Sequence, residues 1–166
     1  MVNRTLGNRG APSNGSGGFT LIELMLVVVV LSIILAIATP SFLTFVKQVR
    51  VDTAANDFTR AVALARSEAT KRRQSVSLTL NSDGWSVDIL VDEAWVSVLT
   101  HVVDTSVQIS ASIVTIGFLP KGRLNSDTAV CFADSSVTSG AVETKRVAIN
   151  LAGSTTITTP STLECS

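Results

Sequence analysis

The pattern of hydrophobic and polar positions divides this 166-residue chain into three parts. Residues 1–18 are polar, and an apolar stretch with only three polar residues follows from Phe19 to Ala38. About 20 helical residues at roughly 1.5 Å each cross a bilayer core of roughly 30 Å. We therefore predict a membrane-spanning helical segment over residues 19–46, followed by one exported domain of ordinary size over residues 47–166.

Beyond the apolar stretch, the pattern predicts that the helix continues to about Arg73. Pro40 removes a helical hydrogen bond and crowds the preceding turn, so a kink or local melting is expected around residues 39–41. Further along, apolar residues recur every three to five positions and predict the buried face of an amphipathic helix: Val46, Val51, Ala55, Phe58, Val62, Ala65 and Ala69. The charged residues between them predict a solvated opposite face: Arg50, Asp52, Asp57, Arg60, Arg66 and Glu68.

After Gln74 the pattern changes to short β-branched and aromatic segments. Ser75–Leu80 and Trp85–Val91 flank the turn residues 81–84, which predicts a hairpin with Gly84 at positive φ. Further strands are predicted at 95–99, 107–110, 114–118, 129–132, 145–151 and 155–158. One long N-terminal helix packed on an antiparallel β-sheet domain makes this an α+β protein.

The polar leader and a single acid in the apolar run limit the kinds of targeting segment that the N-terminus can be. Arg4 and Arg9, with no acid in residues 1–18, hold the N-terminus in the cytoplasm and export the rest of the chain. A secretory signal has its cleavage site after the apolar region, and a plain signal anchor does not account for Glu23. A carboxylate inside a membrane helix costs about 2.5–3.5 kcal/mol and usually has a partner.

Together, Gly18, Phe19, Glu23 and the apolar run resemble the processing site of a type IV prepilin. The resemblance implies that prepilin peptidase removes residues 1–18 by cleaving between Gly18 and Phe19, and then methylates the amine of Phe19. It also implies that Glu23 pairs with the α-amino group of a neighbouring subunit during assembly. An inner-membrane assembly platform and other minor and major pilins, or pseudopilins, are the implied partners. The implied location is the bacterial inner membrane with a periplasmic domain, and then a fibre.

Later segments resemble the GspH/FimT family of minor pilins and secretion pseudopilins. They are the helix-to-strand junction at 63–76, Asp83-Gly84-Trp85, and the segment 118–123. The likeness is greatest to FimU-like and FimT-like minor pilins, which implies a subunit at or near the pilus tip that primes assembly. A type II secretion pseudopilin H, acting in protein export, is the alternative. The resemblance implies no cofactor.

Cys131 and Cys165 form an even pair in a domain expected to be exported. Such a compartment permits disulfides, so one bridge is predicted between them, and two buried free thiols are the alternative. In the chain-entropy model the closed loop of about 35 residues stabilises by roughly 3–4 kcal/mol.

Charge gives little support for a nucleic-acid partner. Thirteen basic residues balance 13 acidic ones, and loss of Arg4 and Arg9 with the leader leaves 11 against 13. Some FimT-type proteins take part in DNA uptake, and their Gly-Arg-x-Arg motif corresponds here to Gly153-Ser154-Thr155-Thr156, without either arginine. The remaining DNA-binding candidates are Lys71, Arg72, Arg73, Lys121, Arg123, Lys145 and Arg146. Helix capping and solvation account for most of them.

No motif predicts catalysis. His101 is the one histidine, and it has no recognisable nucleophile motif or metal-spaced partner around it. Asp83 lies in a turn without the alternating oxygen ligands of a calcium loop. We therefore predict no enzyme activity and no metal site. Trp85 and Trp95 are expected in the core, with partner anchors as the alternative.

Overall fold

The computed structural model describes residues 18–136 and 142–160. The chain forms two units, Met1–Thr39 and Pro40–Ser166. One helix, α1, runs from Leu21 to Arg72. Eight strands follow: β1 Val76–Asn81, β2 Gly84–Val91, β3 Ala94–Val102, β4 Val107–Ala111, β5 Thr115–Phe118, β6 Thr128–Asp134, β7 Lys145–Ile149 and β8 Thr155–Thr158. The α+β class is confirmed, and all eight predicted strands are present within a few residues.

In the first unit, α1 carries apolar side chains that nothing in the described chain covers. Residues 21–39 are exposed throughout, and the helix is long and apolar enough to cross a membrane by length and composition. The helix is continuous through residues 39–41, so local melting at Pro40 was a wrong expectation. One missing N–H interrupts a single helical hydrogen bond and leaves the turns on either side intact. The kink itself stays a prediction.

In the second unit, α1 buries the predicted apolar stripe from Val51 onward, whereas Val46 is half-buried. Val51, Ala55, Phe58 and the small residues that continue the stripe are almost inaccessible to solvent. The helix ends at Arg72, and Arg73 follows in the left-handed region at φ 53°. A left-handed residue just after the last turn is a common way of ending a helix.

The strands form two four-stranded antiparallel sheets. The first has the order β3-β2-β1-β5 and the second β4-β6-β7-β8. Phe58 of α1 joins them, because its ring lies 5.3 Å from the ring of Trp85 in the first sheet and 5.5 Å from that of Phe132 in the second. The core is therefore a layer between one helix and two sheets. Trp85 is buried as expected, whereas Trp95 on the edge strand β3 is 58% exposed, so its core assignment was wrong.

The turn of the first hairpin differs from the prediction in its glycine. Gly84 pairs with Asn81 as the first residue of β2 and is absent from the glycines with positive φ. A Cβ at this position would overlap the carbonyl of His101 on the neighbouring strand. Close strand approach, and not turn conformation, therefore requires glycine here.

Candidate functional site

The N-terminal end of α1 is a capped helix start. The Thr20 hydroxyl accepts a hydrogen bond from the Glu23 backbone N–H at 3.2 Å, and the Thr20 carbonyl accepts one from Leu24 N–H at 3.2 Å. Thr20 is therefore the N-cap, and Glu23 is the third helical residue, the spacing of a capping box. A carboxylate in the first turn also favours the positive end of the helix dipole. Thr20 was not among the residues predicted to be functional, although the Thr-x-x-Glu spacing of residues 20–23 indicates a cap.

The residues on either side of the predicted cleavage bond are accessible. Gly18 and Phe19 precede the helix and are exposed, Phe19 by 85%. A Cβ built on Gly18 would meet no atom within 4 Å. The described part of the chain therefore imposes no steric requirement for glycine at residue 18. Glu23 is also exposed, and its carboxylate pairs with no described residue.

A second polar group joins α1 to the second sheet. The buried carboxylate of Asp134 accepts hydrogen bonds from the backbone N–H and hydroxyl of Ser136, and Lys47 Nζ lies 3.7 Å from it. A similar but more exposed arrangement is formed by Asp104, which accepts hydrogen bonds from the backbone N–H and the hydroxyl of Ser106. Asp134 Oδ2 is buried and has no hydrogen-bond partner among the described residues, so the contacts of this carboxylate with Ser136 and Lys47 are made through Oδ1.

Acid is expected to weaken the domain through Asp134. Burial raises the pKa of this carboxyl, but hydrogen bonds from Ser136 and the charge of Lys47 outweigh burial, and the pKa falls below its usual value. A lowered folded-state pKa gives stability that is present above about pH 4 and lost as the pH falls through the folded-state pKa. Asp134→Asn should lower the free energy of unfolding at pH 7 by about 1–3 kcal/mol and reduce its acid dependence.

Urea unfolding between pH 2 and pH 7 measures this effect. Asp104→Asn is the matched control, because hydrogen bonds from Ser106 lower the pKa of Asp104 in the same way but its side chain is 44% exposed. Its effect should be the smaller of the two, since solvent screens exposed charges. Equal losses in both variants would contradict the role given to burial.

The chain after β8 is long enough for the predicted disulfide. Cys131 lies opposite Arg146, which lies opposite Thr158, so two strand spacings of about 4.8 Å separate Cys131 from Thr158. The seven residues from Thr158 to Cys165 can extend about 23 Å. Cys165 lies outside the described residues, and the bridge stays a prediction.

Thiol labelling of the denatured, unreduced protein tests the bridge. We expect neither cysteine to react before reduction and both to react afterwards. Cys165→Ser should then lower the free energy of unfolding by about 3–4 kcal/mol, because the bridge no longer restricts about 35 residues of the unfolded chain to a closed loop. Labelling of both cysteines without reductant would contradict the bridge.

Three of the seven basic candidates are ion-paired in the structure. Lys71 Nζ lies 3.6 Å and Arg72 Nε 2.8 Å from the Glu68 carboxylate, and the hydrogen bond from Arg72 is the main cause of a lowered Glu68 pKa. Lys145 Nζ lies 3.1 Å from Glu143 and 3.6 Å from Asp52. These contacts favour the structural role over phosphate binding.

The other basic candidates do not form one cluster. Arg73 follows the end of α1, Lys121 and Arg123 share the loop after β5, and Arg146 lines a separate cavity with other residues of β6 and β7. Arg66, assigned only to the solvated face, lies against the loops of Gly122 and Gly153, both at positive φ. Arg66 and Lys71 line one groove with the Gly153 loop. Periodicity placed Arg66 on the correct face but carried no signal of these loops.

No group of three or more His, Cys, Asp or Glu residues suited to a metal ion occurs within residues 18–136 and 142–160. His101 stacks on Trp85 with ring centroids 4.5 Å apart and lies 3.9 Å from the Asp57 carboxylate. Both contacts lie at the edge of the core. They indicate a structural role for His101.

A capped apolar helix with an acid in its first turn, continuing into an α+β head, defines the pilin and pseudopilin class. A family model described as the prokaryotic N-terminal methylation motif matches residues 13–39, and the model described as type II transport protein GspH matches residues 54–153. The chain belongs to the GspH family of minor pilins and pseudopilins. This family consists of structural subunits of type IV pili and type II secretion systems.

Solved structures of both kinds of subunit share the fold. The type IV minor pilin FimU of Pseudomonas aeruginosa is 18% identical, with a TM-score of 0.55 over 70% of this chain and 92% of that one. The minor pseudopilin EpsH from the type II secretion system of Vibrio cholerae is 13% identical, with a TM-score of 0.58 over 68% and 99%. A comparison of the sequence with curated proteins found no match. The apolar helix and the family fit a membrane-anchored protein that is incorporated into pili.

Proposed function

We propose that this protein is a minor type IV pilin that prepilin peptidase cleaves after Gly18 and that joins a fibre at or near its tip to prime assembly. The observation that carries the proposal is the first turn of α1. There an exposed carboxylate, Glu23, follows a helix cap and an accessible Gly18–Phe19 bond, at the start of a helical segment, residues 21–39, whose apolar side chains are exposed.

Glu23 supplies the assembly contact in this mechanism. Cleavage frees the α-amino group of Phe19, which stays a cation at neutral pH after methylation. In a lipid or fibre core, attraction between that ammonium and the Glu23 carboxylate of a neighbour is far stronger than in water. Leaving either charge unpaired there is costly, so the pair sets the register between adjacent subunits.

The exposed apolar side chains of residues 21–39 supply the remaining stabilisation. In the membrane they face lipid, and in a fibre they pack against the same segment of other subunits. The basic leader places the N-terminus in the cytoplasm and the domain of residues 47–166 in the periplasm. The partners of this proposal are prepilin peptidase, the inner-membrane assembly platform and other minor and major pilins.

A type II secretion pseudopilin is the second candidate function. The name of the matching family model and the likeness to EpsH favour it. The leader, helix and assembly chemistry are the same in both systems. Their consequences differ, because a pilus acts outside the cell and a pseudopilus promotes export.

Deletion of the gene separates these two candidates. We expect the loss of surface pili and twitching, with export of a secreted enzyme unchanged, and complementation with the wild-type gene should restore both pili and twitching. The opposite pattern, normal pili with failed export, would contradict the pilus proposal and support the pseudopilin. Neither function requires bond chemistry in this chain, and we assign no catalytic residue.

Nucleic acid is not among the proposed partners. Lys71, Arg72 and Lys145 are held in ion pairs, and the arginines of the Gly-Arg-x-Arg motif are missing at Ser154 and Thr156. A gel shift with duplex DNA near physiological salt should show no complex. A complex that forms at this salt concentration, and that is lost when Lys121 and Arg123 are substituted, would contradict this assignment.

A further inference from the structure

The tip of the β2–β3 hairpin is acidic and strained. Asp92 and Glu93 form its two-residue turn at φ 48° and 66°, a conformation usually given to Asn-Gly. Residues 84–102 contain these two acids and Asp88 but no lysine or arginine. Asp92 and Glu93 form no ion pair with a described residue. Backbone strain at charged residues without an ion-pair partner among the described residues points to a contact with another molecule.

Apolar side chains surround the acidic turn. Trp95 is 58% exposed and lies opposite Leu90, which is 38% exposed, while Val96 and Val98 are exposed on the same strand. β3 is the edge of its sheet and carries no lysine or proline to protect that edge. Exposed apolar edges of this kind mark interaction surfaces. We call Leu90, Asp92, Glu93 and Trp95 the hairpin surface.

A surface of complementary chemistry lies on the opposite edge of the same sheet. Leu119, Leu124 and Leu151 line a groove of about 540 Å³, and Lys121 and Arg123 border it. Leu119 and Leu151 are about 40% exposed, and neither Lys121 nor Arg123 forms an ion pair with a described residue. We call these five residues the groove surface. It is apolar with a basic border, as the hairpin surface is apolar with an acidic tip.

Sheet order and register place the two surfaces at one end of the sheet. Val76 of β1 pairs with Ile89 of β2 on one side and with Phe118 of β5 on the other. The hairpin turn follows Ile89 by three residues, and the groove loop follows Phe118 directly. Because β3 and β5 are the two edges, about three strand spacings of roughly 4.8 Å separate the surfaces. A second copy displaced sideways brings its groove surface against the hairpin surface of the first.

We propose that the hairpin surface docks in the groove surface of a second copy of this chain. Trp95 enters the groove between the leucines, and Asp92 and Glu93 face Lys121 and Arg123. The contact is heterologous, because it joins two different surfaces of the chain. The inference rests on the proposed function in one respect, because anchoring in a common membrane keeps copies parallel and raises their effective concentration.

Photo-crosslinking from position 95 tests the contact directly. Full-length protein with a photoreactive phenylalanine in place of Trp95 is reconstituted in phosphatidylethanolamine–phosphatidylglycerol vesicles, with half of the copies labelled with ¹⁵N. We expect mixed-isotope crosslinked peptides that join residue 95 to residues 119–124 or to Leu151. Absence of intermolecular products, or products at other positions, overturns the proposal. In cells, capture of only a different protein or of lipid also overturns it.

Charge reversal makes the test specific. Asp92→Lys with Glu93→Lys, and separately Lys121→Glu with Arg123→Glu, should each reduce the crosslinking yield at least about tenfold through like-charge repulsion. Mixing the two variants should restore it, with products only between unlike copies. Ser82→Lys with Asp83→Lys, at the other end of β2, is the matched control and should leave the yield unchanged. Failure of the mixture to recover contradicts the proposed pairing.

A turn variant separates binding from stability. Asp92→Asn with Glu93→Gly supplies the residues that the turn favours, so Tm should rise by a few °C. The crosslinking yield should nevertheless fall, because the acids are gone. An unchanged yield would overturn the role of Asp92 and Glu93. Processing and fibre incorporation are scored separately, so loss of the vesicle crosslink alone overturns the docking contact and leaves the proposed function standing.

Discussion

Glu23→Ala is expected to insert in the membrane and lose its leader normally but to enter fibres at least about 100-fold less than the wild type. Removing one partner of a buried ion pair costs about 3–5 kcal/mol, and each 1.4 kcal/mol is a factor of ten. The substitution also removes a carboxylate that is costly in lipid, so insertion itself should not suffer. Immunoblotting of sheared fibres against membrane fractions measures the ratio.

Two controls show whether the carboxylate or the helix start is responsible. Thr20→Ala removes the cap, at a cost of about 0.5–2 kcal/mol, but keeps Glu23. Its incorporation should fall much less than that of Glu23→Ala. Glu23→Gln keeps the size of the side chain without the charge and should assemble poorly. Normal incorporation of either Glu23 variant would contradict the ion-pair mechanism.

Gly18→Val is expected to abolish processing and to leave the full-length precursor in the membrane. A Cβ at residue 18 meets no atom within 4 Å in the described chain, so valine should not disturb this protein's own fold. The loss would then reflect the fit of a branched side chain in the site of the peptidase. Co-expression with prepilin peptidase, followed by gel mobility, measures the cleaved fraction.

Gly17→Val is the matched control, because it places the same side chain one residue earlier. Its processing should remain close to that of the wild type. Equal loss in both variants would indicate a general requirement for flexibility in the leader. Full cleavage of Gly18→Val would contradict the assigned cleavage site.

The helix and the eight strands could be predicted because each follows from local periodicity. Apolar residues every three to five positions define the buried stripe of α1, and alternation in segments such as Ser75–Leu80 defines strands. Division of the strands into two sheets could not be predicted, because pairing depends on contacts between residues far apart in sequence. Trp95 illustrates this limit: its strand was predicted, but its exposure follows from β3 being an edge.

The candidate site divides in the same way. Gly18, Phe19 and Glu23 could be proposed from a short motif, because the chemistry predicted for them depends on spacing along one segment of the chain. The Lys47–Asp134 pair and the Arg66 contacts with Gly122 and Gly153 join residues more than 50 positions apart. No periodic pattern indicates such contacts. They require the fold.

Mass spectrometry of the mature N-terminus tests the central claim most directly. The protein should be purified from membranes of cells that contain prepilin peptidase and digested to release its first peptide. We expect a chain that begins at Phe19, carries one methyl group on its α-amino nitrogen and lacks residues 1–18. A retained leader, or a chain that begins after the apolar stretch, would contradict it.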